Sequence, residues 1–189
     1  MHKKIIFITG GARSGKSTYA LSNATKISGN KAYIATAEAL DEEMRERIEK
    51  HKKQRGKDWD TYEEPLRIAE IIKEIEGKYT AIVIDCLTLW LSNIMIRTQN
   101  TGYRIQTIEM EIEGFLDSLS RFKKSPVCGL GSGFCSLYIV SNEVGMGIVP
   151  ENDMARRFRD IAGFLNQRVA EIAHEVYLLI SGIPLKVKG

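Results

Sequence analysis

Short apolar runs rich in β-branched residues alternate along the chain with longer segments in which apolar residues recur every three or four positions. The runs stay apolar over about five residues, as strands covered on both faces of a sheet do. Five strands are predicted, at residues 5–9, 32–36, 81–85, 137–141 and 176–180. Six helices are predicted, at residues 15–28, 40–55, 65–76, 87–97, 105–122 and 152–174. The polar segment 186–189 could end a last edge strand.

This order of elements predicts an α/β fold with a mostly parallel sheet and helices on both of its faces. The sequence contains no internal repeat and no linker, so residues 1–189 are expected to form a single domain. A chain of this length buries roughly 70% of the surface that its unfolded form exposes, and it needs no disulfide or metal to fold. The segment 125–136, rich in glycine and cysteine, is interpreted as a surface loop.

Composition excludes several classes of function. The 27 Lys and Arg residues against 24 Asp and Glu give a net charge of +3, which is weak support for binding nucleic acid. The three cysteines lack C-x-x-C spacing, so a zinc site is not predicted, and free thiols suit a reducing compartment. No apolar run approaches the roughly 20 residues of a membrane span, and the run at 5–8 is too short for a signal peptide. We therefore expect a cytoplasmic protein without a membrane span.

A glycine-rich loop directly follows the first predicted strand and leads into the first predicted helix. It has the pattern G-x-x-x-x-G-K-S of a phosphate-binding loop. Its residues are Gly10, Gly11, Ala12, Arg13, Ser14, Gly15, Lys16 and Ser17. Backbone N–H groups of such a loop surround phosphate oxygens, and the helix adds the positive end of its dipole. Lys16 can reach the β- and γ-phosphates, and the Ser17 hydroxyl can bind Mg²⁺.

An acidic residue, Asp85, ends the strand predicted at 81–85. A carboxylate at the carboxyl end of a buried parallel strand is where P-loop enzymes hold Mg²⁺. Acidic residues are common at strand ends, so Asp85 becomes a metal-site candidate only because the phosphate loop accompanies it. The phosphate loop and Asp85 together indicate a nucleoside triphosphatase or a kinase, but they do not identify the phosphate acceptor.

His51 lies on the helix predicted at 40–55. Met44 and Ile48 form the inward stripe of that helix, and His51 falls about 20° from the same face. An imidazole with an unperturbed pKa of about 6.5 is mostly neutral at pH 7 and can act as a nucleophile. The basic residues around it would attract a polyphosphate. The same pattern also fits a partly buried histidine with a solvated basic fringe.

Several longer motifs resemble one family, the bifunctional adenosylcobinamide kinase/adenosylcobinamide-phosphate guanylyltransferases of cobalamin biosynthesis. The motif N-E-V-G-M-G-I-V-P and the helix with His51 are the most specific to this family. The matching stretches are T-G-G-A-R-S-G-K-S at 9–17, Y-I-A-T-A at 33–37, D-E-E-M at 41–44 continuing to His51, W-x-T-x-E at 59–63, D-C-L-T-L-W-L-S-N at 85–93, S-N-E-V-G-M-G-I-V-P at 141–150 and R-F-R-D at 157–160. Lys50 stands where some relatives have a second histidine.

The resemblance implies a three-layer, RecA-like P-loop fold that assembles as a homotrimer. It implies phosphorylation of the aminopropanol hydroxyl of adenosylcobinamide by ATP or GTP with Mg²⁺, followed by transfer of GMP from GTP. The histidine matching His51 would carry GMP covalently, with Lys16 as the second catalytic residue. The implied nucleotide contacts outside the phosphate loop are Ala35, Thr36, Ala37, Lys52, Lys53, Gln54, Arg55, Glu63 and Asp85. Ser17 and Asp85 are the implied metal ligands.

Other functions fit parts of the pattern. The chain could be a guanylyltransferase only, or another P-loop kinase of small molecules without a covalent step. It could also be a nucleotide-sensing module or a RecA-like nucleic-acid motor, although the mild net charge argues against a motor. The base for the acceptor hydroxyl stays open between Asp85 and Glu143.

Overall fold

The computed structural model describes residues 2–39, 42–55, 58–101, 105–125 and 134–189. Within these ranges it describes all side chains except those of residues 2, 43, 47, 50, 51, 53–55, 99–101, 105, 106 and 134. The strands are β1 (His2–Gly10), β2 (Lys31–Ala35), β3 (Trp59–Glu63), β4 (Ala81–Asp85), β5 (Phe134–Val140), β6 (Glu175–Ile180) and β7 (Ile183–Lys188). They form one sheet in the order β3-β2-β4-β5-β1-β6-β7. Every neighbouring pair is parallel except β6 with β7, so the predicted mostly parallel sheet is confirmed.

Helices cover both faces of this sheet. They are α1 (Lys16–Thr25), α2 (Glu42–Arg55), α3 (Ile68–Ile75), α4 (Leu87–Thr101), α5 (Ile105–Lys124) and α6 (Asp153–Ile172). Small residues of α1 pack on one face against side chains of β1, β2, β4 and β5. Apolar stripes of α3, α4, α5 and α6 form the larger core on the other face. Two apolar layers thus hold the sheet rigid and fix the positions of its strand ends.

The two edge strands depart most from what the apolar pattern predicts. In β3 only Trp59 is buried, because the strand has a neighbour on one side alone. Every residue of β7 is exposed, and the strand begins earlier than the predicted polar end at 186–189. Edge strands lack the continuous apolar run that marks a buried strand, and this explains both differences.

The interpretation of 125–136 as a surface loop is wrong for residues 134–136. β5 begins at Phe134, and both Cys135 and Ser136 are buried. This segment pairs in parallel register with the start of β1, where Cys135 lies opposite Lys3. A cysteine packs in a core like a small apolar residue. The rest of the proposed loop, with Cys128, lies outside the described residues.

Glu175, at the start of β6, forms ion pairs with lysines of both neighbouring strands, β1 and β7. Its Oε1 lies 2.8 Å from Nζ of Lys4 and 2.8 Å from Nζ of Lys186. Burial raises the pKa of this carboxyl, but the two ammonium groups outweigh burial and lower the pKa to about 2. A pKa below the unfolded value of about 4.3 stabilises the fold above that pH, and this stability is lost as pH falls towards 2.

We expect Glu175→Gln to lower the free energy of unfolding by about 1 kcal/mol at pH 7, since two charge-assisted hydrogen bonds to partly exposed lysines weaken. The variant should lose less stability than the wild type between pH 4 and pH 2. Urea unfolding at both pH values measures this, with the exposed Glu171→Gln as control. Equal acid sensitivity in the wild type and Glu175→Gln would show that the lysine pair does not act on this carboxyl.

Candidate nucleotide site at the carboxyl edge of the sheet

The phosphate loop joins the end of β1 to the start of α1, as predicted. It turns through two left-handed residues, Arg13 (φ 56°) and Gly15 (φ 93°). The N–H of Ser14 donates to the carbonyl of Gly11 at 3.3 Å, and the N–H of Tyr19 donates to the carbonyl of Gly15 at 2.9 Å. The loop is therefore already closed over the amino end of α1. This end carries the partial positive charge that attracts phosphate.

Gly10 is required at its position because a neighbouring strand approaches its backbone. A Cβ there would lie 2.4 Å from the carbonyl oxygen of Leu179 and 2.9 Å from Oγ of Ser14. The φ of Gly10 is also +150°, which side chains disfavour. The first glycine of the motif thus lets β6 pack directly beside the loop.

Gly10→Ala is expected to lower the free energy of unfolding by about 2–4 kcal/mol, since a backbone oxygen cannot move aside easily. Gly11→Ala provides the matched control, because a Cβ on Gly11 meets nothing within 4 Å. Thermal and urea unfolding of both variants without nucleotide measure the difference. Equal stability of the two variants would contradict the close approach of β6.

Lys16 is the buried cation of the site. Its side chain bonds to the loop itself, with Nζ donating to the carbonyl of Gly11 at 2.6 Å and lying 3.4 Å from Oγ of Ser14. Burial lowers the pKa of the Lys16 ammonium, while the nearby Cys86 and Asp85 act in the opposite direction. A desolvated ammonium whose hydrogen bonds, among the described residues, are to neutral oxygens is poised to exchange them for phosphate oxygens.

Asp85 ends β4, on the same sheet edge as the phosphate loop. Its Oδ2 accepts a hydrogen bond from the hydroxyl of Tyr33 at 2.6 Å. Tyr33 lies on β2 opposite Val83, so it reaches Asp85 diagonally across the strand pair. The apolar pattern alone does not predict this contact. The signal available in the sequence was the shared period of two that puts Tyr33 and Ala35 on one face of β2.

Hydrogen bonds of Thr36 attach the loop that follows β2 to the start of α4. The Thr36 hydroxyl donates to the carbonyl of Cys86 at 2.8 Å and accepts from the N–H of Cys86 at 2.7 Å. Nδ2 of Asn93 donates to the carbonyl of Thr36 at 2.8 Å. Thr36 is fully buried, whereas Ala37 is half-buried. These bonds fix the loop that follows β2 beside Asp85, a role for Asn93 that the sequence pattern did not predict.

Glu63 marks the far end of the site. It ends β3, and Ala35 lies between Glu63 and Asp85 in the strand register. Lys52 of α2 forms an ion pair with Glu63, and both side chains are largely exposed. This pair places the second half of α2 beside the end of β3. The inward stripe of α2 is confirmed for Met44 and Ile48, which are half-buried among exposed neighbours.

The structure thus gathers the predicted residues into two groups on one sheet edge. Lys16 of the phosphate loop and Asp85 form the first, because their charges interact, and Glu63 with Lys52 forms the second. Two strand spacings separate Asp85 from Glu63, or about 10 Å. The predicted contacts of Lys53, Gln54 and Arg55 and the nucleophile assigned to His51 fall on side chains outside the described ones.

Ser17 and Asp85 suit a nucleotide-bound magnesium ion. One hydroxyl and one carboxylate are hard oxygen ligands, and Mg²⁺ typically completes its shell with substrate phosphates and water. Among the described residues, no group of three or more His, Cys, Asp and Glu could hold a metal without such help. None of the described helices has the length and apolarity to cross a membrane.

The fold resembles that of known ATPases. The structure aligns with a prototypical ATPase from the type III secretion system of pathogenic bacteria with a TM-score of 0.53. The alignment covers 94% of this chain and 51% of that chain at 12% identity. The likeness concerns the fold alone, and it agrees with the predicted P-loop, RecA-like class.

Sequence comparison extends over nearly the whole chain. The chain is 36% identical over 187 residues to the bifunctional adenosylcobalamin biosynthesis protein CobU of Escherichia coli K12, covering 97% of this chain and 99% of the relative. Identity to the CobU protein of Salmonella typhimurium LT2 is 37% over 192 residues, with 97% and 99% covered. The family model for cobinamide kinase / cobinamide phosphate guanyltransferase matches residues 6–187. This chain is therefore a member of the cobinamide kinase / cobinamide phosphate guanyltransferase family.

Proposed function

We propose that the protein is a bifunctional enzyme of adenosylcobalamin biosynthesis. It phosphorylates the aminopropanol hydroxyl of adenosylcobinamide with a nucleoside triphosphate. It then transfers GMP from GTP through a guanylyl-His51 intermediate, giving adenosylcobinamide-GDP and pyrophosphate. The description of its family names a kinase and a guanyltransferase, and its relatives are called bifunctional, which supports the pair of activities. We assign both steps to a single domain formed by residues 1–189.

The observation that carries this proposal is that two lysines, each near a carboxylate, lie along one sheet edge. Lys16 is near enough to Asp85 for their charges to interact, and Lys52 forms an ion pair with Glu63 about two strand spacings from Asp85. A triphosphate held by the phosphate loop would extend its nucleoside towards the second group. One bound nucleotide could then present its γ-phosphorus to an acceptor or its α-phosphorus to α2.

In the kinase step, the phosphate loop and Lys16 hold the triphosphate while its γ-phosphoryl group moves to the acceptor oxygen. The new P–O bond forms as the bond to the β–γ bridging oxygen breaks. Charge on the transferring group is stabilised by Lys16 and by the inward N–H groups of the loop. Mg²⁺ would be held by Ser17 and Asp85 and would neutralise charge on the phosphate oxygens. Asp85 and Glu143 are both candidates for accepting the hydroxyl proton.

In the guanylyl step, a neutral imidazole nitrogen of His51 attacks the α-phosphorus and pyrophosphate leaves. The phosphate of adenosylcobinamide phosphate then attacks the same phosphorus and releases His51. The neighbouring cations, including Lys52, stabilise charge on the transferring oxygens. The exposed Lys52–Glu63 pair contributes roughly 0–1 kcal/mol, so it does not lock α2 against β3. We propose that α2 shifts along this edge to bring His51 to the nucleotide.

The family resemblance also supports a homotrimer, ATP or GTP as phosphoryl donor, and a cytoplasmic location without nucleic acid as partner. Sedimentation of the purified protein tests the assembly. Nucleic acid that stimulates hydrolysis of the triphosphate would instead support a RecA-like motor.

A two-stage assay tests the function. Purified protein receives adenosylcobinamide with γ-labelled ATP and Mg²⁺, and GTP follows after the ATP has been removed. We expect label in adenosylcobinamide phosphate first, and pyrophosphate together with adenosylcobinamide-GDP second. Success of the second stage alone, starting from adenosylcobinamide phosphate, would indicate a guanylyltransferase only. Failure of both stages, with hydrolysis of the nucleotide retained, would refute the proposed function.

A further inference from the structure

An unusually apolar segment lies at solvent beside the phosphate loop. Met146 is 79% exposed, Ile148 is 96% exposed and Val149 is 58% exposed. We call these three side chains the apolar rim. Scattered apolar side chains are normal on a surface, but three within four residues concentrate exposed apolar surface in one segment, and such concentrations mark binding surfaces more often.

The segment that carries the apolar rim is held by hydrogen bonds at both ends. Oε1 of Glu143 accepts from the N–H of Gly145 at 2.8 Å. At the other end, Nη1 of Arg156 donates to the carbonyl of Pro150 at 3.0 Å. The backbone is therefore shaped while its side chains remain unburied. A preformed segment of this kind loses little conformational entropy when a ligand covers it.

The apolar rim begins directly beside the phosphate loop. The N–H of Glu143 donates to the carbonyl of Gly10 at 2.9 Å, and the N–H of Ser141 donates to the carbonyl of Ile8 at 3.0 Å. β5, which leads into the segment, lies between β4 with Asp85 and β1 with the phosphate loop. The segment thus leaves the sheet between the two elements that would hold the triphosphate and its metal.

We infer that the apolar rim binds the corrin macrocycle of the acceptor. The inference rests on the proposed function. An acceptor whose hydroxyl reaches the γ-phosphate on a flexible arm must place its bulky body just outside the loop. The corrin ring is broad and presents apolar ring carbons and methyl groups between its amide side chains, and this apolar surface matches exposed Met, Ile and Val side chains. The bonds from Glu143 to Gly10 and Gly145 would couple the position of the ring to that of the loop.

The test compares a double variant, Met146→Ser with Ile148→Ser, with Met110→Ser. Met110 is the matched control because it is 73% exposed on α5. We expect the double variant to raise the KM for adenosylcobinamide about tenfold or more, since partial burial of two apolar side chains is lost. Its kcat at saturating corrinoid and its Kd for ATP should stay at wild-type values. Met110→Ser should match the wild type in all three.

Equilibrium dialysis with adenosylcobinamide separates the possible failures. If the wild type transfers phosphate to corrinoid and the double variant keeps the same KM and corrinoid Kd, the inference is wrong and the proposed function stands. If the double variant keeps that KM but dissociates an oligomer, the apolar rim contacts a second copy and the inference is also wrong. If the wild type neither binds nor modifies corrinoid, both proposals fail.

Discussion

Replacement of Lys16 by Met is expected to reduce phosphoryl transfer by about 10²–10³-fold, because a preorganised cation is lost from the transferring phosphate. The side chain is buried and its pKa is lowered by burial, so removing its charge should leave the folded protein without nucleotide at least as stable. Steady-state kinetics and urea unfolding measure the two effects separately. A large loss of activity without a loss of stability is the signature of a functional lysine.

Lys26→Met is the control for this variant, because Lys26 is an exposed lysine just beyond the end of the same helix. It should keep wild-type kinetics. The lowered pKa of Lys16 should also make the affinity for the triphosphate depend on pH. Since the neutral amine cannot bind phosphate by charge, affinity for the triphosphate should begin to fall at a lower pH than for an exposed lysine. A Lys16→Met protein that retains wild-type transfer would overturn the assignment of Lys16.

His51→Ala is expected to reduce GMP transfer by at least about 10³-fold, because the step loses its nucleophile. Phosphorylation of adenosylcobinamide should continue at close to the wild-type rate, since the γ-phosphoryl group is held by the phosphate loop. The two stages, assayed separately on one preparation, show whether the loss is selective. A variant that loses both activities equally would mean that His51 acts on nucleotide binding and not as a nucleophile.

The control for His51→Ala is Glu49→Ala. Glu49 is exposed on α2, so it changes the charge of the same helix without changing the imidazole. It should retain both activities. Reduced GMP transfer in Glu49→Ala as well would assign the effect to the helix as a whole.

The phosphate loop and the five central strands could be predicted from the sequence because their signals are local. A glycine pattern between a strand and a helix specifies a backbone shape, and a continuous apolar run specifies a strand covered on both faces. Asp85 followed from the same logic, since parallel strands end at one edge. The inward stripe of α2 followed from helical period, as the burial of Met44 and Ile48 confirms.

The contacts that shape the site depend on long-range register and could not be predicted in this way. Tyr33 meets Asp85 across 52 residues, and Thr36 meets Cys86 across 50. The edge strand β3, which places Glu63, has too little apolar surface to be recognised. The glycine-rich neighbours of Cys135 favour a loop in the sequence, whereas pairing with β1 places it in a strand. Such features arise only when distant segments pack together.

Trapping the covalent intermediate tests the central claim most directly, namely that one nucleotide site serves two transfers through His51. Wild-type protein is incubated with α-labelled GTP and Mg²⁺ without corrinoid, and labelled peptides are mapped by mass spectrometry. The account predicts one acid-labile GMP group on His51, absent from His51→Ala and discharged by adenosylcobinamide phosphate. If the wild type acquires no label, or if His51→Ala is labelled as well, the claim is contradicted.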